Sequence, residues 1–351
     1  MNKNIRKITA AFLASMLLTA CSKDPNPEEG VYGPGIYVCN EGNFNLSNAS
    51  ISYIPRTNYQ VYNDIFAQAN NNATLGDVAQ SISLHNGKFY IVLNNSGKVT
   101  VVNAENFKIS GTISDRYLPR YMAFKGDRGY LTEWQSFTSN GKLTVINLIN
   151  NSVVKQIDVG KFPEKLIIHN NRLFVTNSND STISVINLNT ETLEQTLTVG
   201  HWPNSIVKDA NNKLWVLCGG IPSWAGGPTP GTLVRINPDN LQIEQTLSFN
   251  STSSNPSNLS INKAGNKLYY VFENKIYQTD ITASSIPSSP LISSNFTYTY
   301  GLGIDPQSNY IFVADAGSFT SNGVVRWYSS TGSLIDTAVV GIGPNGFYFW
   351  E

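Results

Sequence analysis

The sequence predicts an all-β protein, a seven-bladed β-propeller of four-stranded antiparallel blades, closed by its C-terminal strand joining the N-terminal blade. Three observations predict it. One strand signature recurs seven times, as GIYVC, KFYIV, RGYLT, RLFVT, KLWVL, KLYYV and YIFVA, with an aromatic always in the same place: Tyr37, Tyr90, Tyr130, Phe174, Trp215, Tyr269 and Phe312. The copies lie 40 to 54 residues apart, the length of one four-stranded blade. Long helical periodicity is absent throughout.

The other strands follow in order around each copy. Upstream of most copies stands a turn and an apolar strand, as in KFPEKLIIHN, HWPNSIVKDA and NPSNLSINKA, with Pro119, Pro163, Pro203, Pro256 and Pro344 in equivalent places. Downstream comes a third strand, GKVTVVN, GKLTVIN, STISVIN, GTLVRIN or NGVVRWY, then an Asx-type turn and a fourth strand such as EQTLTVG. A single blade cannot bury both of its faces, so blades stack radially and each sheet packs on its neighbours. The two ends are complementary. The repeats open on a second strand, GIYVC, and end on GIGPNGFYFW, a first, innermost strand with no second strand after it. Joining them removes the free edge of the ring.

Lys+Arg and Asp+Glu number 24 each and charged residues are 14% of the chain, below the roughly 25% of an average soluble domain. This balance excludes nucleic acid as a partner. Lys3, Arg6 and Lys7 precede an apolar stretch from Ile8 to Leu18, too short to span a bilayer, which leads into Leu18-Thr19-Ala20-Cys21. Residues 1–20 are therefore expected to be a secretory signal. Leu18-Thr19-Ala20-Cys21 resembles the lipobox of bacterial lipoproteins, which implies that Cys21 is acylated and that membrane contact runs through that anchor alone. Residues 21–34 form a polar tether stiffened by Pro25 and Pro27, and residues 35–351 form the propeller. Ser22-Lys23-Asp24, followed by Glu28 and Glu29, resembles the short acidic export signal of Bacteroidota lipoproteins. The expectation is an outer-membrane anchor with surface display, a periplasm-facing anchor being the alternative.

The segments FVTNSNDSTISVINLNT and TLTVGHWPNSI resemble the YVTN-type propeller repeat, a likeness that spans roughly residues 35 to 350 and bears on fold rather than function. The opening YVCNEGNFNLSNASISYI, with Asn40-Glu41-Gly42-Asn43-Phe44 shortly after a lipobox and tether, resembles a Bacteroidota group of surface lipoproteins with such propellers. The best-understood members of that group capture cobalamin over a TonB-dependent outer-membrane transporter. The resemblance implies a corrinoid or another bulky small molecule as ligand and such a transporter as partner.

In a propeller the loops after second and fourth strands emerge on one face. Sorted in that way, Trp134, Trp202 and Trp224, half of the six tryptophans, share a face with Phe44, Tyr117, Phe137, Tyr300 and Phe319. Aromatics among Asn, Ser and Gly suit a large ligand with flat apolar area and many amide or hydroxyl groups. The expected ligand-binding residues are Trp134, Phe137, Trp202, Asn204, Trp224, Tyr117, Arg120, Tyr300, Phe319 and Asn345. Arg116, Glu133 and Asp77 lie nearby as polar candidates, for which solvation or ion pairing is the simpler role. Catalysis has little support. His85 and His169 occupy one equivalent turn on the opposite face, and His201 has no Cys or His at metal-ligand spacing. No GxSxG elbow, phosphate loop or calcium loop is present, so no cofactor or metal is expected. Cys39 and Cys218 end second strands of blades that are not neighbours, too far apart for a disulfide, and read as buried thiols. Three function classes remain: first a binding lipoprotein, not an enzyme; second an interaction module for a glycan, cell-wall or protein partner; third a propeller hydrolase or lyase.

Overall fold

The computed structural model describes residues 31–351. The signal segment, Cys21 and most of the tether lie outside the described residues. Seven antiparallel sheets form the ring. From the axis outward, blade 2 runs Ala79–His85, Lys88–Leu93, Lys98–Asn103, Ile109–Ile113, and blade 3 runs Pro119–Lys125, Arg128–Glu133, Lys142–Asn147, Ser152–Asp158. Blade 4 is Pro163–His169, Arg172–Asn177, Thr182–Asn187, Thr192–Thr198, and blade 5 is Pro203–Lys208, Leu214–Cys218, Thr232–Asn237, Gln242–Ser248. Blade 7 is Thr299–Ile304, Ile311–Asp315, Asn322–Tyr328, Leu334–Ile342.

Blades 1 and 6 depart from the expected four strands. Blade 1 is Pro344–Trp350, Gly35–Asn40, Ser50–Pro55, and blade 6 is Ser257–Ile261, Lys267–Phe272, Lys275–Asp280. In each, the fourth strand is reduced to one bridge, Tyr53 to Tyr62 in blade 1 and Ile276 to Ile292 in blade 6. The segment that would have formed it in blade 6 contains Pro287 and Pro290, which lack the N–H a ladder needs. In blade 1 the chain turns instead into a short helix, Ile65–Ala69, whose Ile65 and Phe66 are buried.

The seven repeated aromatics explain the stacking. All are 2% exposed or less, and each sits in a different interface cluster. Tyr37 packs on Phe89 of the next blade, Tyr90 with Leu131, Tyr130 with Leu173, Phe174 with Leu214, Trp215 with Leu268, Tyr269 with Ile311, and Phe312 with Ile36. The ring is thus seven nearest-neighbour interfaces, each with one large ring at its centre, and a fully buried aromatic contributes about 1.5–3 kcal/mol. The prolines set a second repeated contact. Pro163, Pro256 and Pro344 lie so close over Gly141, Gly231 and Gly323 that any Cβ there would collide with the pyrrolidine ring.

The ring closes as expected. Pro344–Trp350 pairs antiparallel with Gly35–Asn40, from Gly35 opposite Trp350 to Asn40 opposite Pro344. Cys39 and Cys218 are free and buried, and burial pushes the Cys218 thiol up to about 12. Among the described residues no helix is long and apolar enough to cross a membrane.

Candidate functional site: an aromatic cavity beside a polar axial channel

One face of the ring is laced together by a repeated backbone hydrogen bond. The residue that follows a second strand donates its N–H to the carbonyl of the residue that precedes the inner strand of the same blade. Glu41 donates to Gly343, Asn94 to Val78, Trp134 to Leu118, Ser178 to Phe162, Gly219 to Trp202 and Ala316 to Tyr298, at 2.8–3.2 Å. Phe162 and Trp202, each just before an inner-strand proline, adopt φ of 52° and 57°. This left-handed backbone is strained for bulky residues, and the laced loops hold it.

Between blades 3, 4 and 5 these loops enclose a cavity of about 470 Å³, lined by Phe137, Phe162, Trp202, Ile221, Pro222 and Trp224. Its size is that of a pocket for a drug-sized molecule. Trp202 and Trp224 meet edge to face with ring centroids 5.8 Å apart, and Phe137 meets Phe162 edge to face at 5.6 Å. Trp224 rides on a short 3₁₀ turn, Ser223–Ala225, in a loop whose neck is tied by mutual bonds between Ile221 and Thr229. Phe137 and Trp224 are 79% and 78% exposed. Rings left that open, grouped around a concavity, mark an interaction site. His201 lies on the rim with its Nδ1 2.7 Å from Ser181 Oγ.

Beside the cavity runs the axial channel, and Trp202 and Ser178 line both. The residue after the proline position of each inner strand forms a polar ring: Gln80, Arg120, Glu164, Asn204, Ser257, Tyr300 and Asn345. Most of these groups hold one another. Arg120 pairs with Glu164 at 3.0 Å and lies 4.2 Å over the Trp134 ring. Tyr300 Oη and Asn345 Nδ2 both donate to the Glu41 carboxylate, at 2.9 and 2.7 Å. Burial raises Glu41 above the usual carboxylate range against those two bonds. Asn204 donates to the Pro256 carbonyl at 2.9 Å, tying blade 5 to blade 6.

The ten expected ligand-binding residues therefore fall into separate groups. Phe137, Trp202 and Trp224 come together in the cavity. Trp134 stands behind it, stacked on Phe162 at 4.4 Å. Arg120, Asn204, Tyr300 and Asn345 belong to the channel ring. Phe319 packs on Tyr300 and Tyr298, at 4.9 and 5.3 Å, in a second aromatic group on the far side of the ring, and Tyr117 is exposed. The polar candidates are engaged: Arg116 with Glu133 at 3.5 Å, and Asp77 as acceptor from Asn45 and Asn95. His85 and His169 support turns, through Gly126 and Asp239. Among the described residues no cluster of His, Cys, Asp and Glu could hold a metal ion. Phe162, Tyr121, Lys165 and Glu41 were not among the expected site residues. Phe162 had a signal, since KFP and HWP place an aromatic before the same proline.

Fold and site together define the class: a seven-bladed propeller with an aromatic cavity on one face and a polar axial channel beside it. The chain belongs to the family described as a domain of unknown function, DUF5074, which matches residues 34–350. No curated protein matches it. Among solved structures it is similar to a quinonprotein alcohol dehydrogenase-like protein from Bacteroides thetaiotaomicron, at 16% identity over 90% of this chain and 78% of that one, TM-score 0.68. It is also similar to the periplasmic gluconolactonase PpgL of Pseudomonas aeruginosa, at 11% identity over 90% and 99%, TM-score 0.67. A third is Kuenenia stuttgartiensis hydrazine synthase, at 16% identity over 74% and 85%, TM-score 0.61. At these identities the likeness is one of fold.

Proposed function

We propose that this chain is a lipid-anchored binding protein that captures a bulky, partly flat ligand on the laced face, with a corrinoid as first candidate and a TonB-dependent outer-membrane transporter as recipient. The observation that carries the reading is the cavity walled by Trp202, Trp224, Phe137 and Phe162, with two of its rings almost fully open to solvent. Such rings offer flat apolar contact at low entropic cost. Because the cavity shares Trp202 and Ser178 with the channel mouth, a ligand larger than the cavity has a polar surface to lie across. The likeness of the opening sequence to cobalamin-capturing lipoproteins supports a corrinoid as the first candidate. A second reading, a module for a glycan, cell-wall or protein partner, draws on Phe44 and Leu46, which are 67% and 66% exposed on the opening loop.

Titrating the purified chain with cyanocobalamin and cobinamide tests the first reading. Binding at micromolar concentration or tighter is expected, and Trp202→Ala with Trp224→Ala should weaken it, each ring contributing roughly 1–3 kcal/mol by analogy with aromatics stacked on bases. Their melting temperature should barely move. Unchanged affinity in the double variant would place the site elsewhere, and absence of corrinoid binding would leave the second reading. Anchoring is tested separately. Cys21→Ala removes the acyl acceptor, so labelling with a fatty-acid analogue should disappear; equal label in variant and wild type would end the lipoprotein reading.

A further inference from the structure

Inside the ring the channel holds two compartments side by side, one of about 440 Å³ against the inner strands of blades 3 to 7 and 1 and one of about 240 Å³ against those of blades 1 to 4, and both are lined by Tyr121, Lys165, Asn345, Gly346 and Phe347. These residues form the waist where the compartments meet. Two polar atoms at the waist lack partners. Among the described residues, Lys165 Nζ forms no ion pair or hydrogen bond and rests 3.8 Å over the Tyr121 ring. The orientation of Asn345 is fixed, because its Nδ2 donates to Glu41 Oε1, the Ala79 carbonyl and the Gln80 carbonyl, at 2.7, 3.0 and 3.1 Å. Turning the amide over would set oxygen against three acceptors. Its Oδ1 is buried, and no donor among the described residues reaches it. The waist also has room, since a Cβ at Gly346 would meet nothing within 4 Å.

The charges around the waist show what is missing. Glu164 is engaged by Arg120 through three bonds of 3.1–3.2 Å, and Glu41 is engaged by Tyr300 and Asn345. Lys165 is left as a cation facing the lumen, and an unpaired charge away from bulk water is costly. We propose that the waist of the axial channel is a binding site for a small hydroxycarboxylate, its carboxylate accepting from Lys165 Nζ and its hydroxyl donating to Asn345 Oδ1. The ligand supplies the acceptor and the donor that the two side chains lack, and a charge-assisted bond to an ammonium is stronger than a neutral one.

The titration of Lys165 agrees with this arrangement. Burial lowers the ammonium to about 8; Glu164 on its own strand and Cys39 on blade 1 act upward, and Arg120 on blade 3 acts downward. Tyr121, the ring beneath it, stays neutral because burial raises its phenol. A bound carboxylate favours the charged form, so affinity should hold below pH 8 and fall as pH rises through the folded value. Without ligand the lowered value makes Lys165 destabilising in its charged form. Lys165→Met should therefore match or exceed the wild type in melting temperature at neutral pH, and this advantage should shrink between about pH 8 and the ordinary lysine value near 10.4.

The test is calorimetric titration of the full chain with glycerate, with acetate offering only the carboxylate and glycerol only the hydroxyls. Glycerate should bind, with acetate and glycerol each at least about tenfold weaker. Lys165→Met and Gly346→Leu, the latter filling the waist without touching a charge, should each lose about tenfold or more in affinity while remaining folded. No heat from glycerate at millimolar concentration, acetate binding as tightly as glycerate, or wild-type affinity in both variants would overturn the proposal. Corrinoid capture on the laced face is read in a separate titration, so either reading can fail without the other.

Discussion

Deleting residues 342–351 should abolish the cooperative unfolding transition of the ring. The segment supplies the inner strand of blade 1, paired along its whole length with Gly35–Asn40. Its four aromatics also bind three blades together. Phe347 and Phe349 pack on Phe312 of blade 7, at 5.8 and 5.6 Å, and Tyr348 and Trp350 meet Phe89 of blade 2, at 5.7 and 5.8 Å. Arg56, whose carboxylate partner Asp305 is fully buried, also donates to the Trp350 carbonyl at 2.5 Å. Gly303 lies so close under Phe349 that a Cβ there would stand 2.7 Å from its ring. Even at half of the roughly 1.5–3 kcal/mol assigned to a fully buried aromatic, four such rings approach the 5–15 kcal/mol stability of a typical domain. Loss of the strand also opens the edge of Gly35–Asn40 in blade 1 and uncovers the face of blade 7 around Phe312. The expected result is a broad, shallow melt with dye-accessible apolar surface and rapid proteolysis. A truncated chain that melts sharply, within a degree or two of the full one, would mean that closure does not depend on this strand.

The fold was legible because its signal is repeated. Tyr37, Tyr90 and Trp215 are ordinary core aromatics taken singly, but a buried ring at one register position in every repeat has one geometric solution, a stack of equivalent interfaces. The closure was legible from the mismatch of the two ends. The reduced blades were harder to read: in the fourth-strand segment of blade 6 a few apolar residues, Ile286, Leu291 and Ile292, keep a trace of the repeat, while Pro287, Pro290 and the serines around them read as a loop. The cavity was partly legible, since Phe137, Trp202 and Trp224 could be assigned to one face by loop position, whereas which loop approaches which depends on how blades 3, 4 and 5 are rotated about the axis.

The channel was least legible. Alternation along a strand normally sends successive side chains to opposite faces, but the inner strands are irregular just after the proline, where pairing shifts between Pro119 and Met122 and between Pro163 and Leu166. At such a bulge two residues oppose one. Glu164 and Lys165 both come to line the channel, which period-2 reading does not anticipate. Arg120 and Glu164 also stand 44 residues apart, and only the ring makes them an ion pair.

Trp215→Ala should be the most damaging single substitution among the tryptophans, and its contrast with Trp224→Ala separates scaffold from site. Trp215 is fully buried between blades 5 and 6, among Leu217, Leu233, Leu268 and Tyr270. Its indole Nε1 donates to Asp209 Oδ2 at 2.9 Å. Asp209 is itself buried, and its other oxygen accepts the Asn211 and Lys213 amides that shape the turn between the first two strands of blade 5. Truncation to alanine removes the packing and leaves a cavity, at a cost of about 3–5 kcal/mol. Trp215→Phe keeps most of the volume but deprives Asp209 Oδ2 of its donor, and leaving a buried acceptor unpaired costs about 1–3 kcal/mol. The order expected from denaturant midpoints is wild type and Trp224→Ala together, then Trp215→Phe, then Trp215→Ala, with the slope of unfolding unchanged across the set. Ligand affinity should run the other way, retained by the folded fraction of both Trp215 variants and weakened by Trp224→Ala. If Trp215→Ala unfolds at the same denaturant concentration as Trp224→Ala, the repeated aromatic position does not hold the blades together, and the stability of the ring lies elsewhere in its interfaces.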